Sequence, residues 1–268
     1  MTPADQPTVA PRIVDFERPP VAETALGAVF APISKWTPLH FGLFWERVRE
    51  YYPRTEVKPA VMPAGQTMLR LSEDAVDLPI KALFIDKNGN QLVQVQRNAF
   101  IRNWRQTEQT VEYEHYENVR PLFERDWQLF LDFVAEEQLG AVEMVQCEVT
   151  YINHLVRGRD WESFEDMSNI FRVWSGGNVG PLTTSQMVSF TTAYDLPKNG
   201  GRLQAVVQPG IRKADRKEIL QFVLTATIKP KGSDLSEIMH SLDAGHVAVV
   251  TSFRDFTTPT MHKHWGLK

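Results

Sequence analysis

Apolar and polar positions along this chain switch repeatedly between a period of two and a period near 3.6, the signatures of half-buried strands and amphipathic helices. "VAETALGAVFAPI" reads as a strand over 21–33. Thr37 and Pro38 then supply an N-cap and an N1 proline, and Phe41, Phe44, Trp45, Val48 and Tyr52 recur at helical spacing until Pro53. Strands are predicted at 67–72 and 80–86, and the Asn-Gly of "DKNGN" (86–90) predicts a hairpin turn. "LVQVQRNAFIRNWR" (92–105) reads as one long, bent return strand. Val119, Phe123, Trp127, Phe130 and Val134 share a helix face that starts near Pro121 and closes at Gly140 as C′.

The second half replays this order. A strand at 142–156 leads to a helix at 160–174 with Trp161, Phe164, Phe171 and Trp174 inward. Strands follow at 186–195, 202–211 and 218–229, the first two joined by "KNGG" (198–201). A long helix begins near Ser233 and Asp234 and carries Leu235, Ile238, Leu242, Val249 and Phe253, and "TTPTMHKHWG" (257–266) adds a capped turn. Each half is thus strand–helix–three strands–helix, over 21–140 and 141–256, a repeat of pattern and not of residues. Residues 1–20 carry five prolines and read as a flexible lead-in to a single α+β domain over 21–268. The expected architecture is a curved antiparallel sheet with helices on one face. That resembles the duplicated saddle of the TATA-binding-protein-like fold, with a helix-grip arrangement as the alternative.

Strand parity separates the two faces. Leu220, Phe222, Leu224, Ala226 and Ile228 form an apolar row, as do Val145, Cys147, Val149 and Tyr151. In 92–105, Val93, Val95, Ala99 and Ile101 oppose Gln94, Gln96, Asn98, Phe100, Arg102 and Trp104. The row opposite the core is rich in amides, which donate and accept, and ends in Arg102, Trp104 and His154. It reads either as the solvated side of a sheet covered on one face or as a recognition surface. Gln94, Gln96, Asn98, Arg102, Trp104 and His154 are the expected contact residues in the second case.

Catalytic signatures are thin. His154 could serve as acid or base, with Arg102 or Arg157 holding an anion, but Asn153 points to the other face of a regular strand. The two "RDW" triplets, at 125–127 and 159–161, fit aspartates at helix starts with packed tryptophans. His262 and His264 form an H-x-H pair without an attached acidic partner, and His246 falls near an apolar helix stripe as a core or boundary histidine. "GGNVGP" (176–181) lacks the P-loop lysine and Rossmann spacing, so no cofactor is expected.

Composition narrows the classes. With 43% apolar residues the chain can bury a sizeable core. A formal charge of −4 disfavours a nucleic-acid binder, and no apolar run has the length of a membrane span. The one cysteine, Cys147, sits on an apolar strand row as a core thiol and fits a reducing cytoplasm. "PVAETALGAVFAPI", "LVQVQRNAFIRNWRQ", "YEHYENVRPLFERDWQLF", "CEVTYINHLVRG" and "HVAVVTSFRDFTTPTMHKHWG" together span most of the chain. On these stretches it resembles a sporadically distributed family of uncharacterised bacterial proteins of about this length. The resemblance implies one full-length cytoplasmic unit and carries no site residues with it. The expected function is a non-catalytic binding or regulatory protein that recognises a protein partner or a small polar ligand. The alternatives are an enzyme using His154 and an antitoxin- or defence-associated partner protein. A homodimer through an exposed edge strand stays open.

Overall fold

In the computed structural model, which describes residues 14–60, 80–107, 112–175, 185–197 and 200–268, the first half runs as strand, helix, four strands and helix. These are β1 (Val21–Phe30), α1 (Leu39–Val48), β2 (Arg54–Pro59), β3 (Ile80–Ile85), β4 (Gln91–Gln96), β5 (Ala99–Arg105) and α2 (Tyr116–Glu136). The second half comprises β6 (Met144–Val156), a 3₁₀ turn (Phe164–Asp166), α3 (Met167–Ile170), β7 (Phe190–Asp195), β8 (Arg202–Ile211) and β9 (Glu218–Ile228). It closes with α4 (Leu235–Phe256) and α5 (Pro259–Trp265). The strands form one antiparallel sheet in the order β2-β3-β4-β5-β1-β6-β9-β8-β7. The fold is therefore α+β with one large antiparallel sheet.

The apolar rows line up across that sheet. Phe84, Val93, Arg102, Leu26, Val149, Ala226 and Leu203 are successive cross-strand partners, and all are buried. Phe44 of α1 meets Phe84 edge-on, Asp126 of α2 pairs with Arg102, and Gly245 of α4 lies against Val149. These contacts put α1, α2 and α4 on the same face. Phe30, Phe44, Phe100, Phe123, Trp127, Phe130 and Phe133 pack there as a buried cluster. Each such ring contributes roughly 1.5–3 kcal/mol by leaving water. Gly245 is required by closeness, since a Cβ there would sit 2.8 Å from Val149 Cγ2.

Helix ends follow local chemistry. Asp234 caps α4 by accepting from Glu237 N at 3.1 Å. α5 starts with the Thr258 cap and Pro259 and stops at Gly266, whose φ of 72° lies in the left-handed region. The segment after α5 returns to the opposite end of the chain. Glu17 N donates to Gly266 O at 2.9 Å, Arg18 N to Trp265 O at 3.0 Å, and Lys268 N to Asp15 O at 3.0 Å. Among the described residues no helix is long and apolar enough to cross a membrane.

Four sequence expectations need correction. The stretch 92–105 is a hairpin, with Gln96 paired to Ala99 across a turn at Arg97 and Asn98. Neither turn residue has a positive φ, so no glycine or Asn-Gly marks it. The turn is held instead by Arg97 Nε and Nη2 on the Ile33 and Ser34 carbonyls and by Phe30 N on Asn98 O. The helix expected at 160–174 shrinks to a 3₁₀ turn and α3, because Ser163 starts the turn with a capping box and Phe171 leaves it to bridge Thr257. α2 ends earlier than expected, and Gln138 (φ 53°) takes the position assigned to Gly140. The exposed β2 was not anticipated, since its burial does not alternate. The strand expected at 67–72 and the glycine-rich 176–181 loop, like most of the lead-in, lie outside the described residues.

Candidate functional site

The hairpin at residues 97–98 reassigns the expected contact residues. In a single strand Gln94, Gln96, Asn98, Phe100, Arg102 and Trp104 would share a side. After the turn, Val93 pairs with Arg102 and Val95 with Phe100, so Phe100, Arg102 and Trp104 face the helices. Arg102 is 1% exposed, with Nε on Asp126 Oδ2 at 3.1 Å, and Tyr52 donates to the same carboxylate. Trp104 packs edge-on to Tyr113 at 5.5 Å. Gln94 and Gln96 stay on the far face, and Asn98 lies in the turn. The six residues do not converge on one place.

Much of the far face satisfies itself. Gln94 accepts from Lys81 Nζ at 2.8 Å and donates to Asn103 Oδ1 at 2.6 Å, and Asn103 donates to Glu23 at 2.6 Å. Thr150 and Thr225 hydroxyls lie 3.0 Å apart, and Gln208 donates to Gln221 at 3.0 Å. Such cross-strand pairs stabilise a sheet without any ligand. His154 lies on this face opposite Gln221. Burial lowers its pKa, the nearby Arg212 adds to that, and Asp215 opposes it. Arg157, the alternative anion holder, is engaged by Glu218 at 2.6 Å.

The helix-covered face holds the cavity. It has a volume of about 380 Å³ and lies where β1 and β6 meet the start of α2 and the later turns of α4. Its walls are Val21 of β1, Tyr151 and Asn153 of β6, and His246, Val249, Val250 and Phe253 of α4. Tyr113, His115, Tyr116 and Glu117 complete the lining together with Val14, Asp15, Phe16 and Pro19. That size falls in the range of roughly 300–1,000 Å³ typical of small-molecule sites.

Alternation builds the polar part of this wall. Tyr151 and Asn153 occupy the same parity as Cys147, Val149 and Leu155, so two polar side chains interrupt the inward apolar row of β6. His246 interrupts the apolar stripe of α4 between Leu242 and Val249. The Tyr116 ring stacks on its imidazole, 3.9 Å between centroids and 3° between planes. Tyr116 donates to Asp243 Oδ1 at 2.8 Å, and Arg120 grips both oxygens of the same carboxylate at 2.7 and 3.1 Å. The ring is thus held from both ends.

A chain of hydroxyls runs behind the stack. Tyr113 donates to the Tyr151 hydroxyl at 3.2 Å, and Tyr151 lies 3.0 Å from His246 Nδ1. Which of the two donates depends on the imidazole tautomer, and His246 Nε2 has no partner among the described residues. Burial lowers the His246 pKa to about 4, against the pull of Glu117 and Asp243, so the ring is neutral near pH 7. Burial also raises Tyr113 to about 12 and Tyr151 well above its ordinary value.

Asn153 is 1% exposed. Its Nδ2 donates to Phe222 O at 3.0 Å, while its Oδ1 is buried without a partner. A carbonyl can only accept, so this contact fixes which end of the amide faces the Phe222 carbonyl.

His262, His264 and the aspartates of the RDW triplets have structural partners. His262 Nε2 lies on Arg254 O and Thr257 Oγ1, whereas His264 Nε2 lies 3.1 Å from Asp160 Oδ1. Asp160 also accepts from Val156 N at 2.6 Å and Trp265 Nε1 at 3.1 Å, so it ties α5 to the end of β6. Cys147 is buried, and burial raises its thiol to about 12.

Sequence reading thus missed Tyr113, Tyr116, Tyr151, Asn153 and His246 as a group. The available signal was two polar intrusions, at 151–153 in a strand row and at 246 in a helix stripe. What it lacked was that the two stripes face each other. No protein-family model matches the chain, and no curated protein matches it. The chain is similar to the crystal structure of DynU16, from the dynemicin biosynthetic locus, with 12% identity over 87% of this chain and 97% of that one. The TM-score is 0.23, a likeness too distant to carry an argument about fold or function.

Proposed function

We propose that the protein is a non-catalytic binding protein whose ligand is a small molecule held in the cavity between β1, β6 and α4. The observation that carries this reading is a concave site lined mostly by rings and aliphatic groups, with the Tyr113–Tyr151–His246 chain buried in its wall. A few placed polar groups in an apolar cleft fix a ligand's orientation, whereas the far face offers side chains already paired with one another. The small-ligand version of the binding hypothesis is therefore favoured over recognition of a macromolecule on the open sheet.

The same reading favours a helix-grip description, with α4 lying along β6 and β9 over the cavity. The pseudo-repeat is supported by the sheet order. β1 and β6 pair at the junction of the two halves, and each is flanked by the last strand of its own half.

A nuclear magnetic resonance screen of neutral aromatic fragments tests the proposal. Hits are expected to shift the Tyr151 and His246 side-chain resonances. Val250→Trp, which fills the cavity from α4, is expected to abolish binding while leaving the circular dichroism spectrum intact. Fragments that bind only elsewhere, or that ignore the filled cavity, would remove it.

A further inference from the structure

The walls of the cavity are held with unequal strength. β1 and β6 lie in the middle of the nine-stranded sheet, and α4 packs along β6 and β9. Tyr113 and Tyr116 are tied by their hydroxyls to Tyr151 and Asp243. The wall at residues 14–19 belongs to no helix and to none of the nine strands. Its backbone is fastened along one edge, by the bonds of Glu17 N and Arg18 N to Gly266 and Trp265 and by Lys268 N on Asp15 O. Glu17 and Arg18 are exposed. Segments with few buried contacts and solvent-exposed backbone bonds open at a fraction of the cost of core elements.

We infer that residues 14–19 are the gate of this cavity, and that a ligand enters and leaves when the segment lifts from residues 265–268. This rests on the reading of the cavity as a binding site. Phe16 is the latch. It lines the cavity, is 6% exposed, and packs edge-on against Phe253 of α4 at 5.4 Å and Trp265 of α5 at 6.3 Å. Lys268 Nζ on Asp15 Oδ2 at 2.7 Å adds an exposed ion pair, which holds little alone. The two sides of the latch are not equally free. Trp265 is buried and donates to Asp160, so the C-terminal side stays with the body of the protein. On the other side Pro20 O accepts from His154 N at 2.9 Å, and the fixed φ of Pro19 and Pro20 puts the pivot just before β1.

The test locks the gate reversibly. Asp15 and Lys268 are opposite residues in the short pairing centred on Phe16 and Leu267. Residues so paired have Cα atoms about 5.5 Å apart, within reach of a disulfide. Asp15→Cys with Lys268→Cys therefore gives one full-length protein that is locked when oxidised and free when reduced, while the native Cys147 stays buried. The probe is 6-propionyl-2-(dimethylamino)naphthalene, a neutral solvent-sensitive fluorophore, followed by stopped flow. Oxidation is expected to slow its association and dissociation together, by about tenfold or more, with Kd nearly unchanged, and reductant to restore both rates. Asp160→Ala, which frees Trp265 and does not line the cavity, is expected to speed both rates together, and it carries the test alone should the cysteine variant not fold. Equal rates in the oxidised and reduced forms, or a change in dissociation alone, overturn the gate and leave the cavity as a site. Failure of the wild-type protein to bind the probe, or binding that survives Val250→Trp, overturns both readings.

Discussion

The imidazole of His246 lies parallel to the ring of Tyr116 at 3.9 Å, and its Nδ1 is 3.0 Å from the Tyr151 hydroxyl. A helix and a strand are joined here through a neutral histidine, at the wall of the cavity. The arrangement has a pH consequence. The unfolded chain takes up a proton as pH falls through about 6.5, whereas the folded chain does so only near pH 4. The contribution is therefore complete above the unfolded value and is lost as pH falls from 6.5 toward 4, by about 3 kcal/mol in all. Urea denaturation between pH 7.5 and 4.5 measures it. His246→Phe preserves a stackable ring, is expected to cost about 1–3 kcal/mol at pH 7 through the unpaired Tyr151 hydroxyl, and should flatten the acid slope. An unchanged slope would assign the acid sensitivity to other groups, His154 among them.

The Arg102–Asp126 pair is a second buried commitment, each side chain 1% exposed. Asp126→Ala strands a buried guanidinium and is expected to cost about 3–5 kcal/mol. Arg102→Met with Asp126→Leu removes both charges and is expected to recover roughly half of that loss, as read from guanidinium denaturation midpoints. A double variant no better than Asp126→Ala would show that the pair contributes more than charge compensation.

These residues also mark how far the sequence reaches. The strands at 186–229 and the last helix were legible because their alternation and caps are local properties of the chain. Arg102 and Trp104 were placed on the wrong face because the turn at Arg97 and Asn98 has no local marker. It is fixed by hydrogen bonds to Phe30, Ile33 and Ser34, more than sixty residues away. The helix expected at 160–174 failed for a similar reason, its apolar residues being spent on a bridge to Thr257 and contacts with α5. The cavity was not legible at all. Tyr151, Asn153 and His246 look like ordinary intrusions until the sheet register and α4 bring them together.

Gly245→Ala tests the closeness of α4 to the sheet. Alanine is the better helix former by about 1 kcal/mol, but its Cβ would meet Val149 Cγ2 at 2.8 Å. Overpacking of this kind costs about 1–3 kcal/mol, so the net effect is expected to be destabilising. Thermal denaturation should show Val149→Ala restoring part of the loss in the Gly245→Ala background. Simple additivity of the two changes would argue against the contact.

Asp160 links α5 to β6 through Trp265 Nε1 and Val156 N. Asp160→Ala leaves buried donors unpaired and is expected to cost about 1–3 kcal/mol. It should also speed amide hydrogen exchange at Glu17 and Arg18, whose bonds end on Gly266 and Trp265. Faster exchange throughout the sheet and none localised to residues 16–18 would refute the link.

The cavity wall formed by Val14 to Pro19 is pinned by residues 265–268, across sequence separations of up to 253 residues. Closing so long a loop is entropically late, so this wall is expected to assemble after the sheet has formed. A ligand seated behind it would then have little to hold in the transition state for folding. It should slow the unfolding rate while leaving the refolding rate nearly unchanged, which makes occupancy of the site a source of kinetic persistence.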